Sequence, residues 1–195
     1  MPHSLTATAP ATEPDHTAEM VSAAIQDIGK FSDLYNKHYT QVYYFIFRRT
    51  SQKELTFDLT SVVFLKAMEN LKNYRYTGIP FAAWLYRIAL NEIYAGYRRK
   101  KLELVYNLDT EKVQNLVLEV EGSEKEEMNT QLLQALQKLE KEEMDLIEMR
   151  YFSGLSVKDI AGVLNISENN ASVRIFRIIK KLKTILLKYT RHEHI

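Results

Sequence analysis

"LSVKDIAGVLNISENNASVRIFR", residues 155–177, decides how this chain folds. Ser156 is placed to cap a short helix over Val157 to Leu164. Leu164-Asn165-Ile166 then makes a turn, and asparagine tolerates the left-handed conformation that a tight turn demands. Ser167 caps a second helix that runs to about Tyr189. Ile160, Leu164, Ile166, Ala171 and Ile175 are spaced to form a small core between the two, with the small Ala161 where they cross. This is helix-turn-helix spacing, though a plain helical hairpin shares it. The surface of the second helix separates the two readings. Glu168, Asn169, Asn170 and Ser172 crowd its start, the part that enters a major groove. Asparagine pairs with adenine edges, and Arg174 is suited to guanine or to phosphate. Arg177, Lys180 and Lys181 continue down the helix and suit phosphates. A solvated cationic face is the competing reading, and the polar start of the helix favours DNA.

Working outward, apolar residues recur at three and four throughout the chain, and no convincing strand interrupts them. Helices are predicted over 19–28, 32–50, 54–71 and 81–101, then over 125–139 and 142–151. Gly78 and Pro80 mark a loop between the third and fourth. The second predicted stripe on 54–71 comprises Leu55, Leu59, Val62, Val63, Leu65 and Met68. The fold class is all-α: two small helical domains, a three- to four-helix unit over 30–102 and a helix-turn-helix unit over 127–190. Residues 1–29 read as a partly disordered tail and 103–126 as an acidic linker.

The 195 residues carry a formal net charge of +1, which hides a strong pattern. Residues 30–101 hold 13 Lys and Arg against 5 Asp and Glu, and residues 150–195 hold 9 against 3. Between them, residues 102–149 hold 4 against 13. Two polyanion-attracting blocks flank an acidic one, suited either to keep the two apart or to cover one of them. There is no cysteine, hence no disulfide framework and no thiolate metal site. The start lacks the basic and apolar regions of a secretion signal, and no apolar run approaches membrane-spanning length. The chain is expected to be cytoplasmic, with no membrane insertion.

The fourth predicted helix, "FAAWLYRIALNEIYAGYRRKK" (81–101), interleaves cations with aromatics. Trp84, Leu85, Ile88, Ala89 and Ile93 suit a buried face, leaving Asn91, Tyr94, Tyr97, Arg98 and Arg99 on the other. The preceding loop adds Tyr74, Arg75 and Tyr76. Single-stranded nucleic acid stacks its bases on rings while Lys and Arg hold its backbone. Half-buried tyrosines with wet hydroxyls are the competing reading. No Gly-rich phosphate loop and no helical metal-ligand spacing among the five histidines suggests a catalytic centre, so an enzyme that acts on nucleic acid is the weakest reading.

One domain suited to opened strands and one to duplex resemble the sigma factors of bacterial RNA polymerase, specifically the two-domain extracytoplasmic-function type. The resemblance rests on "DLTSVVFLKA" (58–67), "WLYRIALN" (84–91) and "RRKK" (98–101), then "LQKLEKEEMDLIEMRYFSGLSVKDIAGVLNIS" and "RIFRIIKKL". It covers about residues 30–101, as sigma region 2, and 127–188, as sigma region 4. It implies a non-enzymatic subunit, without cofactor or metal, that binds core polymerase and directs promoter recognition, strand opening and initiation. A sigma-like DNA-binding regulator that does not drive initiation is the alternative.

The resemblance also implies roles. Gln52, Asp58, Thr60, Ser61, Val62 and Lys66 would contact the polymerase clamp. Tyr74, Arg75, Tyr76, Asn91, Tyr94, Tyr97, Arg98 and Arg99 would capture the opened minus-ten element. Ser167, Glu168, Asn169, Asn170, Ser172, Arg174, Arg177, Lys180 and Lys181 would bind the minus-35 duplex. An anti-sigma factor is an expected partner. Ser61 and Val62 stand where the family usually has Gln-Glu, and Asn170-Ala171 where it has Thr-Val.

Overall fold

The computed structural model describes residues 16–75, 80–100, 106, 116, 120 and 126–192. The first group of helices is α1 (Thr17–Gln26), α2 (Phe31–Thr50), α3 (Lys53–Asn70) and α4 (Phe81–Lys100). The second is α5 (Glu126–Leu136), α6 (Lys141–Ile147), α7 (Val157–Leu164) and α8 (Glu168–His192). Among the described residues there is no strand, and no helix is long and apolar enough to cross a membrane.

In the first group α2, α3 and α4 pack on one another, and α1 lies against α2. Leu34, Val42, Phe45 and Ile46 of α2 meet Val63, Phe64 and Ala67 of α3 and Leu85, Ala89 and Ile93 of α4 in the core. Phe45 is the centre of it, its ring stacked on that of Tyr86 at 4.4 Å between centroids. The stripe expected on α3 is therefore corrected. Leu65 and Met68 are exposed, and the buried face runs through Phe64 and Ala67 instead. The expected tail at 1–29 is corrected in part: Val21 and Ala24 of α1 are buried, so α1 belongs to the first domain's core. The first 15 residues lie outside the described ones.

In the second group α8 is the spine, packed by α5, α6 and α7. The helix expected over 142–151 is two pieces, because α6 gives way to a π-turn over Glu148–Phe152. That wider turn brings Glu148, Met149 and Phe152 all into the interior. Gly154 follows at φ 71°, in the left-handed region that favours glycine. Of the sparsely described segment between the groups, Leu116 and Val120 are buried in the core.

The helix-turn-helix forms as its sequence dictates. Ser156 and Asp159 make a reciprocal capping box at the start of α7, with the Asp159 amide donating to Ser156 Oγ at 3.1 Å. Asn165 ends α7 at φ 56°, ψ 45°, and the Ile166 amide donates to the Ala161 carbonyl at 3.0 Å. Asn165→Val is expected to lower stability by about 1–2 kcal/mol, since a β-branched residue is strained there, while Asn165→Gly is tolerated. Denaturant titration of both variants checks this, and equal losses would refute the turn argument.

Candidate nucleic-acid interface

The start of α8 is held by Ser167, whose Oγ accepts from the Asn170 amide at 3.2 Å. Ser167 itself is exposed, as are Glu168, Asn169, Asn170, Ser172, Arg174, Arg177 and Lys180. Ala171, Ile175 and Ile178 are buried and fix the rotation of α8, so those polar residues face away from the bundle. Lys181 is corrected: it is half-buried, and its Nζ donates to Glu143 Oε2 at 2.5 Å. It ties α8 to α6 rather than pointing to a ligand. Phe176 is 68% exposed and Val173 39%, beside Arg174 and Arg177. In the sequence the signal for Phe176 is its place between Ile175 and Arg177, off the apolar stripe of Ala171, Ile175 and Ile178.

On α4 the expected residues divide. Asn91, Arg98 and Arg99 are exposed. Tyr97 is corrected: it is buried, and its hydroxyl donates to the Arg49 carbonyl at 3.2 Å. Burial pushes its phenol above the ordinary tyrosine value. Tyr94 is half-buried and its hydroxyl donates to Asp145 Oδ2, in the second group. Tyr74 is half-buried against Phe81 and Trp84, with centroids 5.2 and 5.1 Å away. Arg75 is exposed, its guanidinium folded back onto the Lys72 carbonyl at 3.0 Å. Tyr76 lies outside the described residues. Asn70, Asn73, Trp84, Arg87 and Asn91 line an open cleft between α3 and α4. Lys66, Ile88 and Glu92 complete its lining, and the indole, the guanidinium and the amides offer a stacking surface and base-edge partners.

On α3, Gln52, Asp58 and Ser61 are exposed. Lys66 is exposed and pairs with Glu92 of α4 at 2.7 Å. Val62 is half-buried. Thr60 is corrected: it is fully buried, its hydroxyl donating to the Thr56 carbonyl at 2.7 Å, so it touches no partner. Phe57 and Leu65 are 57% and 51% exposed and flank Ser61 one helical turn on either side. They make an apolar strip that the sequence reading missed by assigning Leu65 to the core.

The two groups meet where α4 packs on α7, and at the end of α2. Arg49 is fully buried and donates from Nε to Asp145 Oδ1 at 3.0 Å, and it also pairs with Glu148. Its guanidinium sits over the Phe45 ring at 3.8 Å from the centroid. Arg48 donates to Glu148 Oε1 at 2.6 Å and to Ser153 Oγ at 2.7 Å. Tyr106 donates to Asp145 Oδ1 at 3.1 Å. Burial pulls the Arg49 guanidinium down, but Glu148 and Asp145 outweigh it and leave Arg49 above its ordinary value. Burial pushes the Asp145 carboxyl up to about 6, against the pull of Arg49.

Residues 34–103 match the family described as Sigma-70 region 2, and residues 129–182 match Sigma-70, region 4. The chain belongs to the sigma-70 family. Its relatives place it among sigma factors of the extracytoplasmic-function type. It is 29% identical over 161 residues to the ECF RNA polymerase sigma factor BldN of Streptomyces coelicolor, an alignment covering 80% of this chain and 60% of that one. It is 29% identical to the RNA polymerase sigma factor YlaC of Bacillus subtilis, over 84% of this sigma factor and 95% of that one. It is 31% identical to the RNA polymerase sigma-H factor of Pseudomonas aeruginosa, over 62% and 67%. The fold is similar to that of CnrH in complex with the cytosolic domain of CnrY, at TM-score 0.58 and 21% identity over 88% of this chain and 97% of that one. It is also similar to sigma factor RpoE in complex with the anti-sigma factor NepR from Bartonella quintana, at TM-score 0.53 and 20% identity over 80% and 96%.

Proposed function

We propose that this sigma factor binds core RNA polymerase in the cytoplasm, carries it to a promoter and opens the DNA there, with no covalent chemistry of its own. The observation that carries the reading is the pairing of two surfaces on one chain. The start of α8 is a polar and cationic helix end set on a helix-turn-helix, suited to duplex DNA. The α3–α4 cleft, with Trp84, Arg87 and Asn91, is suited to an opened strand. The exposed strip of Phe57, Ser61 and Leu65 with Asp58 is the surface for the polymerase clamp. Ser61 lacks the longer polar side chain usual in the family, and the two large apolar neighbours supply contact area in its place. Asn91 and Tyr74 act on the opened strand, while Arg174 and Arg177 act on the duplex. An anti-sigma factor is the expected antagonist, by likeness to RpoE, which is in complex with the anti-sigma factor NepR.

Reconstitution tests the central claim. Sigma-free bacterial core polymerase mixed with this protein is expected to give a stable complex on size-exclusion chromatography. Failure to form one, with DNA binding kept, would refute the polymerase-subunit reading. Asn91→Ala is expected to slow promoter opening, read with permanganate, and to leave binding of the minus-35 duplex unchanged. Equal loss of both would count against the division of labour.

A further inference from the structure

We infer that the cleft between α3 and α4 takes the pairing edge of one unstacked base that carries an exocyclic amine and turns thymine away, with Glu92 and Asn70 as the acceptors that make the choice. This rests on the reading of the cleft as the opened-strand surface, and adds to it a class of base and the residues that select it.

The lining of the cleft divides into groups already engaged and groups with something left to offer. Both of its cations are engaged: Lys66 Nζ donates to Glu92 Oε1 at 2.7 Å, and Arg87 donates from Nε to the Gly162 carbonyl at 3.0 Å. Asn70 Nδ2 donates to the Lys66 carbonyl at 2.8 Å. A carbonyl oxygen only accepts, so the nitrogen of that amide is fixed toward the backbone and Oδ1 is what Asn70 has left. Glu92 has the same kind of group left. A carboxylate only accepts, and among the described residues Oε2 meets no donor. Its side chain is 13% exposed against 47% for Lys66, so the carboxylate is the more enclosed of the pair. Asn73 and Asn91 offer donor and acceptor alike and do not discriminate. Trp84 supplies the plane: its indole is held against Tyr74 and Phe81, at 5.1 and 5.3 Å between centroids, and lines the same cleft. A base stacked there is read by hydrogen bonds along its pairing edge. Adenine, cytosine and guanine each carry an amine with two hydrogens at that edge. Thymine carries one N3–H between two carbonyl oxygens, which a carboxylate repels. An ion pair that only braced α3 against α4 would leave all bases equal.

Oligonucleotides of one repeated base make the test independent of register. The full-length protein is titrated by fluorescence anisotropy with single-stranded oligodeoxycytidine and oligodeoxyuridine of equal length. The two rings are the same size and differ on the pairing edge, with an amine against a carbonyl at position 4. Any conformer that hides the cleft lowers both affinities by the same factor, so the ratio reads the base alone. Oligodeoxycytidine is expected to bind about tenfold tighter. Glu92→Gln keeps the size of the side chain but sets an NH2 donor beside an acceptor. It is expected to raise both affinities, since a negative charge is gone, and to cut the ratio to about twofold or less. Asn91→Ala is expected to lower both affinities and keep the ratio. Equal affinities in the unaltered protein, or an unchanged ratio in Glu92→Gln with helical circular dichroism intact, overturn the inference and leave the opened-strand surface standing. Should Glu92→Gln lose its helical signal, Asn70→Ala carries the same test, because Asn70 is exposed and its truncation removes the other acceptor; an unchanged ratio there overturns the inference equally. No binding of either oligonucleotide, or binding that Asn91→Ala leaves untouched, overturns the reading of the cleft itself and the base class with it.

Discussion

Phe45→Ala is expected to lower the stability of the first domain by about 3–5 kcal/mol. Phe45 is fully buried, so its removal leaves a cavity as well as losing transfer free energy. Two neighbours lose their support with it. The Tyr86 ring is stacked on it at 4.4 Å, and the Arg49 guanidinium sits over the Phe45 ring at 3.8 Å from its centroid. Arg49 also donates to the Phe45 carbonyl at 2.9 Å, a bond the alanine backbone keeps, so the loss reports packing and not that hydrogen bond. Denaturant unfolding followed by circular dichroism measures it. A loss below about 1 kcal/mol would mean that the core closes over the gap, and would refute Phe45 as the centre of the packing.

Arg174→Ala together with Arg177→Ala is expected to weaken binding of the minus-35 duplex by about 1–3 kcal/mol from lost base contacts, with a further loss from phosphate contacts. Both side chains are exposed on α8, and neither is fixed by a capping or core role. The fold is therefore expected to survive, with an unchanged melting profile. The two components separate by salt. A guanidinium on a phosphate flattens the dependence of log affinity on log salt by about one unit, whereas one on a base edge relaxes sequence preference instead. Fluorescence anisotropy on matched and scrambled duplexes at several salt concentrations reads both. Affinity unchanged on every duplex would overturn the placement of DNA on this face.

The site was legible in the sequence where local geometry alone sets it. Ser156, Asn165 and Ser167 act through their own backbone neighbourhood, and the structure has each at the helix boundary its side chain suggests. The exposed start of α8 follows from them and from the 3.6-residue period of Ala171, Ile175 and Ile178. Tyrosine was the residue type that misled. A phenol is at home in water or in a core with one partner, so nothing local separates the buried Tyr97 from the half-buried Tyr74. Leu65 and Met68 misled in the opposite direction. Hydrophobicity put Leu65 in the core, but the face of α3 that meets α2 and α4 runs through Thr60, Val63, Phe64 and Ala67, and Leu65 stands off it.

Composition and spacing by themselves determined that the fold class is all-α, where its helix-turn-helix lies, and that two cationic blocks flank an acidic one. Those properties follow from hydrophobic period, capping residues and charge count, each settled within a few residues of chain. The meeting of the blocks was decided only by the tertiary structure. Arg49 and Asp145 are 96 positions apart, and Arg48 and Glu148 are 100. In the sequence they are four charges among many, indistinguishable from solvated ones. Packing removes the water from Arg49, Asp145 and Glu148, and without water each must face an opposite charge, which is why the acids that meet the first domain are Asp145 and Glu148.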